Sequence, residues 1–296
     1  MTETFAPQSL VSRALWPTDK LVIAYSSIII CLLGLASRHD PQALFFAGGH
    51  IAMLALIFVL AQYSASSVAL FLRHWYLLIY LPLCYKEVPC LVSALGLPAA
   101  DAALARWDLM LWKTDPVFWL SASPSPLLVE VLQAAYTMFI PGVVGLTVIL
   151  WLRKSRDEFR YGAFVIAITF LISYLGYLVL PARGPRMMPY AAYSQPLHGL
   201  WTFAYFQRWL DSMEGIQYDC FPSGHTAVVI VGCYLARKIS PAVFYVFSVL
   251  AALITFSTVY LRYHYVIDVI AGTALAILIT ASAPSIYSKL SAANTA

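Results

Sequence analysis

About eight runs of apolar residues follow one another along the chain, separated by polar stretches of which two are long. Each run has about 17–25 residues, the length with which an α-helix crosses the hydrocarbon core of a bilayer. The predicted spans are residues 20–37, 42–63, 72–95, 126–152, 159–180, 222–238, 241–261 and 265–287. Pro82, Lys86, Glu87 and Pro89 interrupt the third run. The pattern predicts an all-α integral membrane protein with about eight transmembrane helices.

The composition supports this prediction. Of the 296 residues, 61% are hydrophobic and 11% are charged, whereas a soluble domain carries about 25% charged residues. The surplus apolar surface must face lipid, which excludes an ordinary soluble protein. The net charge of +4 is small and dispersed, so no nucleic-acid partner is expected. The first twenty residues are polar, so no cleavable signal peptide is expected, and the oligomeric state stays open.

Basic residues in the short loops predict the orientation. The loop 152–160 is rich in arginine and lysine, and such loops remain on the cytoplasmic side. Alternation of the spans then places both termini in the cytoplasm. The long connections 96–125 and 181–221, together with His225 and His264, fall at the opposite, extracytoplasmic face.

The connection 96–125 is rich in aromatic residues. It contains Trp107, Trp112 and Trp119 within an apolar spacing that suits a helix lying in the membrane interface. Such a helix serves either as part of an aromatic belt or as a lid that guides a lipid headgroup, and both interpretations stay open.

The five cysteines show no metal-ligand spacing such as Cys-x-x-Cys. Free thiols are expected, with a Cys90–Cys220 disulfide on the outer side as the alternative. A metal site would place more carboxylates near the candidate histidines than Asp219 and Asp268, so no metal is expected. No cofactor is expected either.

Three segments predicted at the outer face carry residues suited to phosphoryl transfer. The segment 181–189, "PARGPRMMP", holds Arg183 and Arg186, and guanidinium groups bind phosphate oxygens well. The second segment, "PSGH", begins the sixth span, with Ser223 as a candidate N-cap. Gly224 would let a ligand approach the free N–H groups of that helix end, which favours anions.

The third segment, 257–272, holds His264 and Asp268 four residues apart, so that on a helix they share one face. A carboxylate there can bind one ring nitrogen of His264 and leave the other free to attack phosphorus. His225 could then protonate the leaving group, and Arg262 offers a further guanidinium for phosphate. Charged groups within a membrane protein are costly and usually functional, so their convergence favours a phosphoryl-transfer site.

The order of these segments resembles the type 2 phosphatidic acid phosphatase superfamily of membrane enzymes. The resemblance covers roughly residues 72–287, which implies a catalytic core of six helices, preceded by two further spans in 1–71 and followed by a cytoplasmic tail, 288–296. It implies that His264 is the nucleophile that takes the phosphoryl group. Asp268 would orient it, and His225 would protonate the departing alcohol.

The same resemblance assigns the phosphate to Arg183, Arg186, Ser223 and Gly224. Two departures from the pattern of the hydrolytic members stand out. The usual upstream lysine would fall on Gly176 or Val179, and Ser257-Thr258 stands where Ser-Arg is usual. The segment "STVYL" followed by "HY" and Asp268, together with "WDLMLWKTDPVFWL", is more similar to the inositol phosphorylceramide synthase branch.

Two basic residues could replace the missing ones. Arg262 could bind phosphate in place of the missing arginine. Lys86 could stand in for the lysine as an accessory residue, although a Lys86–Glu87 pair is the simpler expectation.

The sequence leaves three functions open. The favoured one is a phosphotransferase that moves a phospho-headgroup, for example inositol phosphate, between lipids. The second is a lipid phosphate or isoprenoid pyrophosphate phosphatase, which differs in using water as the acceptor. The remote alternative is a lipid transporter, against which the clustering of polar residues at one face argues. The expected partners are a lipid phosphate donor and a lipid or water acceptor, entering from the outer leaflet.

Overall fold

The computed structural model describes residues 14–63, 65–188, 196–215 and 218–292. Within these residues all regular structure is helical, which confirms the predicted all-α membrane fold. The helices are α1 (Pro17–Ala36), α2 (Gln42–Gln62), α3 (Ser67–Trp75), α4 (Leu77–Ala94), α5 (Asp101–Trp112), α6 (Pro116–Ser121), α7 (Pro126–Thr137), α8 (Phe139–Arg153), α9 (Arg156–Val179), α10 (Phe203–Glu214), α11 (Gly224–Ile239), α12 (Pro241–Tyr260) and α13 (Val266–Ala292).

Six helical stretches in the described part of the chain are long and apolar enough to cross a membrane. They are α1, α2, the pair α3–α4 (Ser67–Ala94), α9, α12 and α13. The pair α7–α8 makes a seventh if its two helices count as one span. These stretches correspond to seven of the predicted spans when α7–α8 counts as one. The sixth predicted span, 222–238, corresponds to α11, which is shorter: its 16 residues reach ~24 Å against a hydrocarbon core of about 30 Å.

The fourth predicted span is broken near its middle. The axes of α7 and α8 meet at 44°, and Pro141 lies in the first turn of α8. Proline has no N–H to donate to the carbonyl four residues earlier, here that of Thr137, so the helical ladder is interrupted. The break places the end of α7 and the start of α8 beside His225, because Tyr136 and Phe139 contact its ring.

The short helix α11 packs among α9, α12 and α13 and carries the "PSGH" segment at its start. Close approach here depends on glycine. A Cβ atom on Gly272 of α13 would lie 2.4 Å from the carbonyl oxygen of Ser223, so a larger residue would push α13 away from the start of α11. The packing of α13 on α11 thus brings the segments around residues 223 and 268 together.

The two N-terminal helices are attached to α4 by a buried polar network. Nε2 of His50 in α2 lies 2.6 Å from Oε2 of Glu87. Oε1 of the same carboxylate accepts a hydrogen bond from the hydroxyl of Tyr25 in α1 at 3.1 Å. Ser26 connects His50 to Tyr80 through contacts of 3.1 and 2.7 Å. Glu87 therefore does not pair with Lys86, which corrects the simpler expectation for that lysine.

We expect Glu87→Ala to lower the free energy of unfolding by about 3–5 kcal/mol, because it leaves a buried His50 without its charged partner. The measurement is thermal unfolding in detergent, with Asp157→Ala as the control. Asp157 belongs to an exposed ion pair with Arg160, and exposed pairs contribute little. Equal melting temperatures for the two variants would contradict the proposed anchoring.

The division into residues 1–71, 72–287 and 288–296 stays a prediction. Helix α13 continues to Ala292, so part of the expected tail is helical. Residues 1–13 and 293–296 lie outside the described residues.

Candidate active site

Backbone hydrogen bonds hold the three candidate segments against one another. The N–H of Ser223 donates to the carbonyl of Asp268 at 3.0 Å, and the N–H of Arg186 donates to the carbonyl of Arg262 at 2.9 Å. The N–H of Cys220 donates to the carbonyl of Ala182 at 3.2 Å. The segments that the sequence analysis singled out are thus one connected structure.

The two candidate histidines face each other at the centre of this structure. Nε2 of His264 lies 3.4 Å from Nδ1 of His225, and the rings meet edge to face. His264 is buried, with 2% of its surface exposed. The ring of His225 packs against Tyr136 and Phe139 at centroid distances of 4.8 and 4.4 Å. This arrangement directs one nitrogen of each histidine toward the other.

The second nitrogen of His264 is held by two acceptors. Nδ1 lies 2.9 Å from the carbonyl oxygen of Cys220 and 3.5 Å from Oδ2 of Asp268. The carbonyl is the closer acceptor, so it fixes the proton on Nδ1 and leaves the lone pair of Nε2 available. The structure therefore brings His264 and Asp268 together, although His264 precedes α13 and is not on it.

Cys220 is a residue of this site that the sequence analysis did not identify. Its thiol donates to Oδ2 of Asp268 at 2.8 Å, and that oxygen also accepts the N–H of Tyr265 at 2.8 Å. Burial, and then the nearby Asp268 carboxylate, raise the pKa of the Cys220 thiol well above its usual value, so the thiol stays protonated and remains a donor. The other oxygen, Oδ1 of Asp268, is buried without a hydrogen-bond partner among the described residues.

Sγ of Cys220, Nδ1 of His264 and Oδ2 of Asp268 lie within 4.8 Å of one another, as metal ligands do. Hydrogen bonds among these groups already occupy all three atoms. All five cysteines are described and free, so the alternative of a Cys90–Cys220 disulfide is not supported.

Two carboxylates of α5 position the loops of the site, and the sequence analysis missed both. Asp101 accepts the N–H groups of Arg183 at 3.1 Å and Gly184 at 2.9 Å. Asp108 accepts the N–H groups of Val266 and Ile267 at 2.7 and 2.8 Å, which caps the start of α13. Burial raises the pKa of Asp108 to about 6, and the two N–H donors oppose that shift.

The spacing of these two carboxylates in the sequence indicates that they share one face of α5. Asp101 and Asp108 are seven residues apart, with Leu104 between them on the same buried face of α5. The opposite face exposes apolar residues, Trp112 among them. The predicted helix in the connection 96–125 therefore exists, and its polar groups point toward the site.

Arg183 and Arg186 line a polar cavity of about 470 Å³ together with His264. Arg183 is exposed, and its Nη2 donates to the hydroxyl of Tyr218 at 2.6 Å. Arg186 pairs with Asp211 of α10 at 2.9 Å and lies over the ring of Tyr263 at 4.4 Å. Both guanidinium groups thus face the cavity into which His264 opens.

Arg262 is placed differently from the expectation. Its backbone is in the left-handed region, with φ 65°, and its side chain is 5% exposed. Nε and Nη2 donate to the hydroxyl and carbonyl of Ser121, at 2.9 and 3.1 Å. Arg262 does not line the polar cavity, so its position gives no support to a role in binding phosphate.

Ser223 and Gly224 are packed tightly. Ser223 is the N-cap of α11, as predicted, with its side chain accepting the N–H of Thr226 at 3.3 Å. A Cβ atom on Gly224 would lie 2.3 Å from the hydroxyl of Tyr177. The close neighbour that requires glycine here is therefore Tyr177, and the role of both residues in binding phosphate stays a prediction.

One of the two places expected for the missing lysine, Gly176, is also filled. A Cβ atom on Gly176 would lie 2.3 Å from a ring carbon of Pro222, which leaves no room for a lysine. Lys86 is exposed, and its ammonium group donates to the carbonyl of Met213 at the end of α10. Lys86 lines a second, apolar cavity and not the polar one.

This apolar cavity of about 450 Å³ adjoins the polar cavity. His225 and Gly224 line it near the site, while Trp75 and Phe159 line it at the other end. Asp219 lines both cavities. Helix α10 covers both as well, with Asp211 in the polar cavity and Leu210 in the apolar one. A polar compartment and a lipid-like compartment therefore meet at the pair of histidines.

Comparisons with known proteins give one relative and one family. The chain is 32% identical over 107 residues to a PA-phosphatase related-family protein from Dictyostelium discoideum. That alignment covers 35% of this chain and 19% of the relative, so the chain matches about a fifth of the relative's length. No solved structure matches the chain. The family comparison confirms the superfamily resemblance but not the inositol phosphorylceramide synthase branch: residues 102–282, more than half of the chain, match the PAP2 superfamily, to which the chain therefore belongs.

Proposed function

We propose that this protein is a phosphotransferase that moves a phospho-headgroup from one membrane lipid to the hydroxyl of another through a phosphohistidine at His264. Membership of the PAP2 superfamily implies a phosphatase or phosphotransferase acting on lipid phosphates. The observation that carries the proposal is the meeting of a polar, arginine-lined cavity and an apolar cavity at His264 and His225. A lipid phosphate has the same division into a charged head and an apolar tail.

The proposed first step forms the phosphohistidine. Nε2 of His264 attacks phosphorus, while Arg183 and Arg186 bind the phosphate oxygens and stabilise the charge of the transition state. The bond from phosphorus to the lipid alcohol breaks, and His225, which takes up a proton when the negatively charged phosphate binds beside it, gives that proton to the alcohol. The carbonyl of Cys220 and the carboxylate of Asp268 stabilise the positive charge on the His264 ring.

The second step returns the enzyme to its starting state. Neutral His225 takes the proton of the acceptor hydroxyl, whose oxygen attacks the phosphorus bound to His264. The bond from phosphorus to Nε2 breaks and the new lipid leaves. The apolar cavity favours a lipid acceptor because it can bind the chain of a second lipid beside the histidines. Ser223 and Gly224 complete the proposed phosphate site through the start of α11.

Hydrolysis is the second candidate function. It is favoured by the similarity of the chain to the Dictyostelium PA-phosphatase related-family protein. The chemistry differs only in the acceptor, since water would attack the same phosphohistidine. We propose that in either case the site lies at the extracytoplasmic face, that substrates enter from the outer leaflet, and that both termini are cytoplasmic.

The test uses purified protein in detergent with a panel of phospholipids and isoprenoid pyrophosphates. Inorganic phosphate and every new lipid are measured, with and without ceramide or diacylglycerol as the acceptor. We expect an acceptor-dependent lipid that carries the donor's headgroup, unaffected by EDTA and inhibited by orthovanadate. Free phosphate that does not depend on the acceptor would make the protein a phosphatase. Loss of turnover in EDTA would show that a metal takes part, in which case the cluster of Cys220, His264 and Asp268 is the first place to look.

A further inference from the structure

The polar cavity contains two carboxylates in addition to its two arginines. Asp211 and Asp219 line it together with Arg183 and Arg186, so the formal charges of these four side chains cancel. We propose that Asp211 and Asp219 are specificity-determining residues that select a phosphodiester donor whose headgroup carries O–H or N–H groups. This inference rests on the proposed function and deepens it by naming the class of donor.

Charge is the first reason. A phosphodiester carries one negative charge, whereas the phosphate of a monoester carries about −1.5 to −2 at neutral pH. A site built for a monoester or a pyrophosphate would be expected to surround it with cations. Here each arginine is accompanied in the cavity by a carboxylate, and like charges repel across a few ångströms. The cavity therefore suits a singly charged phosphate better than a doubly charged one.

Hydrogen bonding is the second reason. An ionised carboxylate accepts hydrogen bonds and donates none, so it binds headgroup hydroxyl or ammonium groups. Tyr85 donates to one oxygen of Asp219 at 2.7 Å, which fixes the position of that carboxylate. The chain neighbours of Asp219 also belong to the site: Tyr218 accepts from Arg183, and the carbonyl of Cys220 contacts His264. Gln207 of α10 adds a side chain that both donates and accepts. The arginines thus share the cavity lining with hydrogen-bond acceptors.

The pairing of Arg186 with Asp211 is compatible with phosphate binding. The contact uses Nη1 of Arg186, at 2.9 Å from Oδ1 of Asp211. A guanidinium has five N–H donors, so Arg186 can bind Asp211 and a phosphate oxygen together. Asp211 therefore orients Arg186 and at the same time places a carboxylate in the cavity beside the proposed phosphate site.

The experiment compares donors that share the same acyl chains. The values of kcat/KM are measured for phosphatidylinositol, phosphatidylethanolamine, phosphatidylcholine and phosphatidic acid. For the wild type we expect the first two, which carry O–H or N–H donors, to exceed the last two. For Asp211→Asn and Asp219→Asn we expect the ratio of inositol lipid to phosphatidic acid to fall at least tenfold. Asp157→Asn is the matched control, because Asp157 forms an exposed ion pair with Arg160 in the first turn of α9, and it should keep the wild-type ratio.

Three results would overturn the inference. The first is a wild type that prefers phosphatidic acid, and the second is an equal kcat/KM for phosphatidylcholine and phosphatidylethanolamine. The third is a ratio of inositol lipid to phosphatidic acid that is unchanged in both variants while their melting temperatures are also unaltered. The ratio of kcat/KM for the two donors has the same meaning whether the acceptor is a lipid or water. Hydrolysis would therefore refute the proposed transfer and leave this inference standing. If no donor is turned over, the ratio of Kd values for short-chain phosphatidylinositol and phosphatidic acid on the His264→Ala protein decides the selectivity by itself.

Discussion

Replacing His264 with alanine is expected to lower kcat by about 10⁵–10⁶-fold, because the covalent intermediate can no longer form. Removal of a nucleophile in enzymes that form such intermediates has effects of about this size. The ring is buried, its Nε2 faces His225 at 3.4 Å, and alanine leaves no nitrogen at that position. The measurement is acceptor-dependent lipid formation, together with mass spectrometry of acid-quenched protein for a phosphorylated histidine peptide.

The matched control is His198→Ala, because His198 is exposed and lies outside both cavities. It should keep wild-type turnover and the phosphorylated peptide. Appreciable turnover by His264→Ala would refute the phosphohistidine mechanism. The same result would favour the alternative of a lipid transporter, whose function need not depend on this side chain.

Replacing Asp268 with asparagine should lower kcat by roughly 10²–10³-fold, less than the approximately 10⁴-fold loss known where a carboxylate alone orients a catalytic histidine. The physical reason is the second acceptor on Nδ1 of His264. The carbonyl of Cys220, at 2.9 Å, is closer than Oδ2 of Asp268, at 3.5 Å, and it keeps the tautomer in the variant. What Asp268→Asn removes is the negative charge that stabilises the imidazolium.

Cys220→Ser is the control for this interpretation. It keeps the main-chain carbonyl and replaces the thiol by a hydroxyl that can still donate to Asp268, so we expect a loss of less than about tenfold. A loss of 10⁴-fold or more in Asp268→Asn would show that the Cys220 carbonyl does not hold the tautomer. An effect below tenfold would remove Asp268 from the proposed machinery.

The parts of the site that the sequence predicts are those fixed by local geometry. Ser223 before an apolar run reads as an N-cap, and it is one. His264 and Asp268 are four residues apart, and a single turn before α13 is enough to bring them into contact. Long apolar runs likewise predict most of the spans, since their length follows from the thickness of the bilayer.

The parts that the sequence does not predict depend on main-chain groups and on the backbone conformation of single residues. The carbonyl of Cys220 belongs to no side-chain motif, so its contact with His264 is invisible in the sequence. The left-handed conformation of Arg262 turns its guanidinium to Ser121, and the motif spacing says nothing of φ. Glu87 finds His50 and not its neighbour Lys86, because α2 packs there with its histidine.

The meeting of the two cavities at the histidines has a consequence for the order of events in the proposed transfer. The tail of the donor and the tail of the acceptor would occupy the same apolar cavity, beside His225. The first lipid alcohol must therefore diffuse away before the second arrives. Double-reciprocal plots should be parallel, as in ping-pong kinetics. An excess of acceptor should inhibit by occupying the cavity of the unmodified enzyme, which would make turnover depend on the ratio of the two lipids in the membrane.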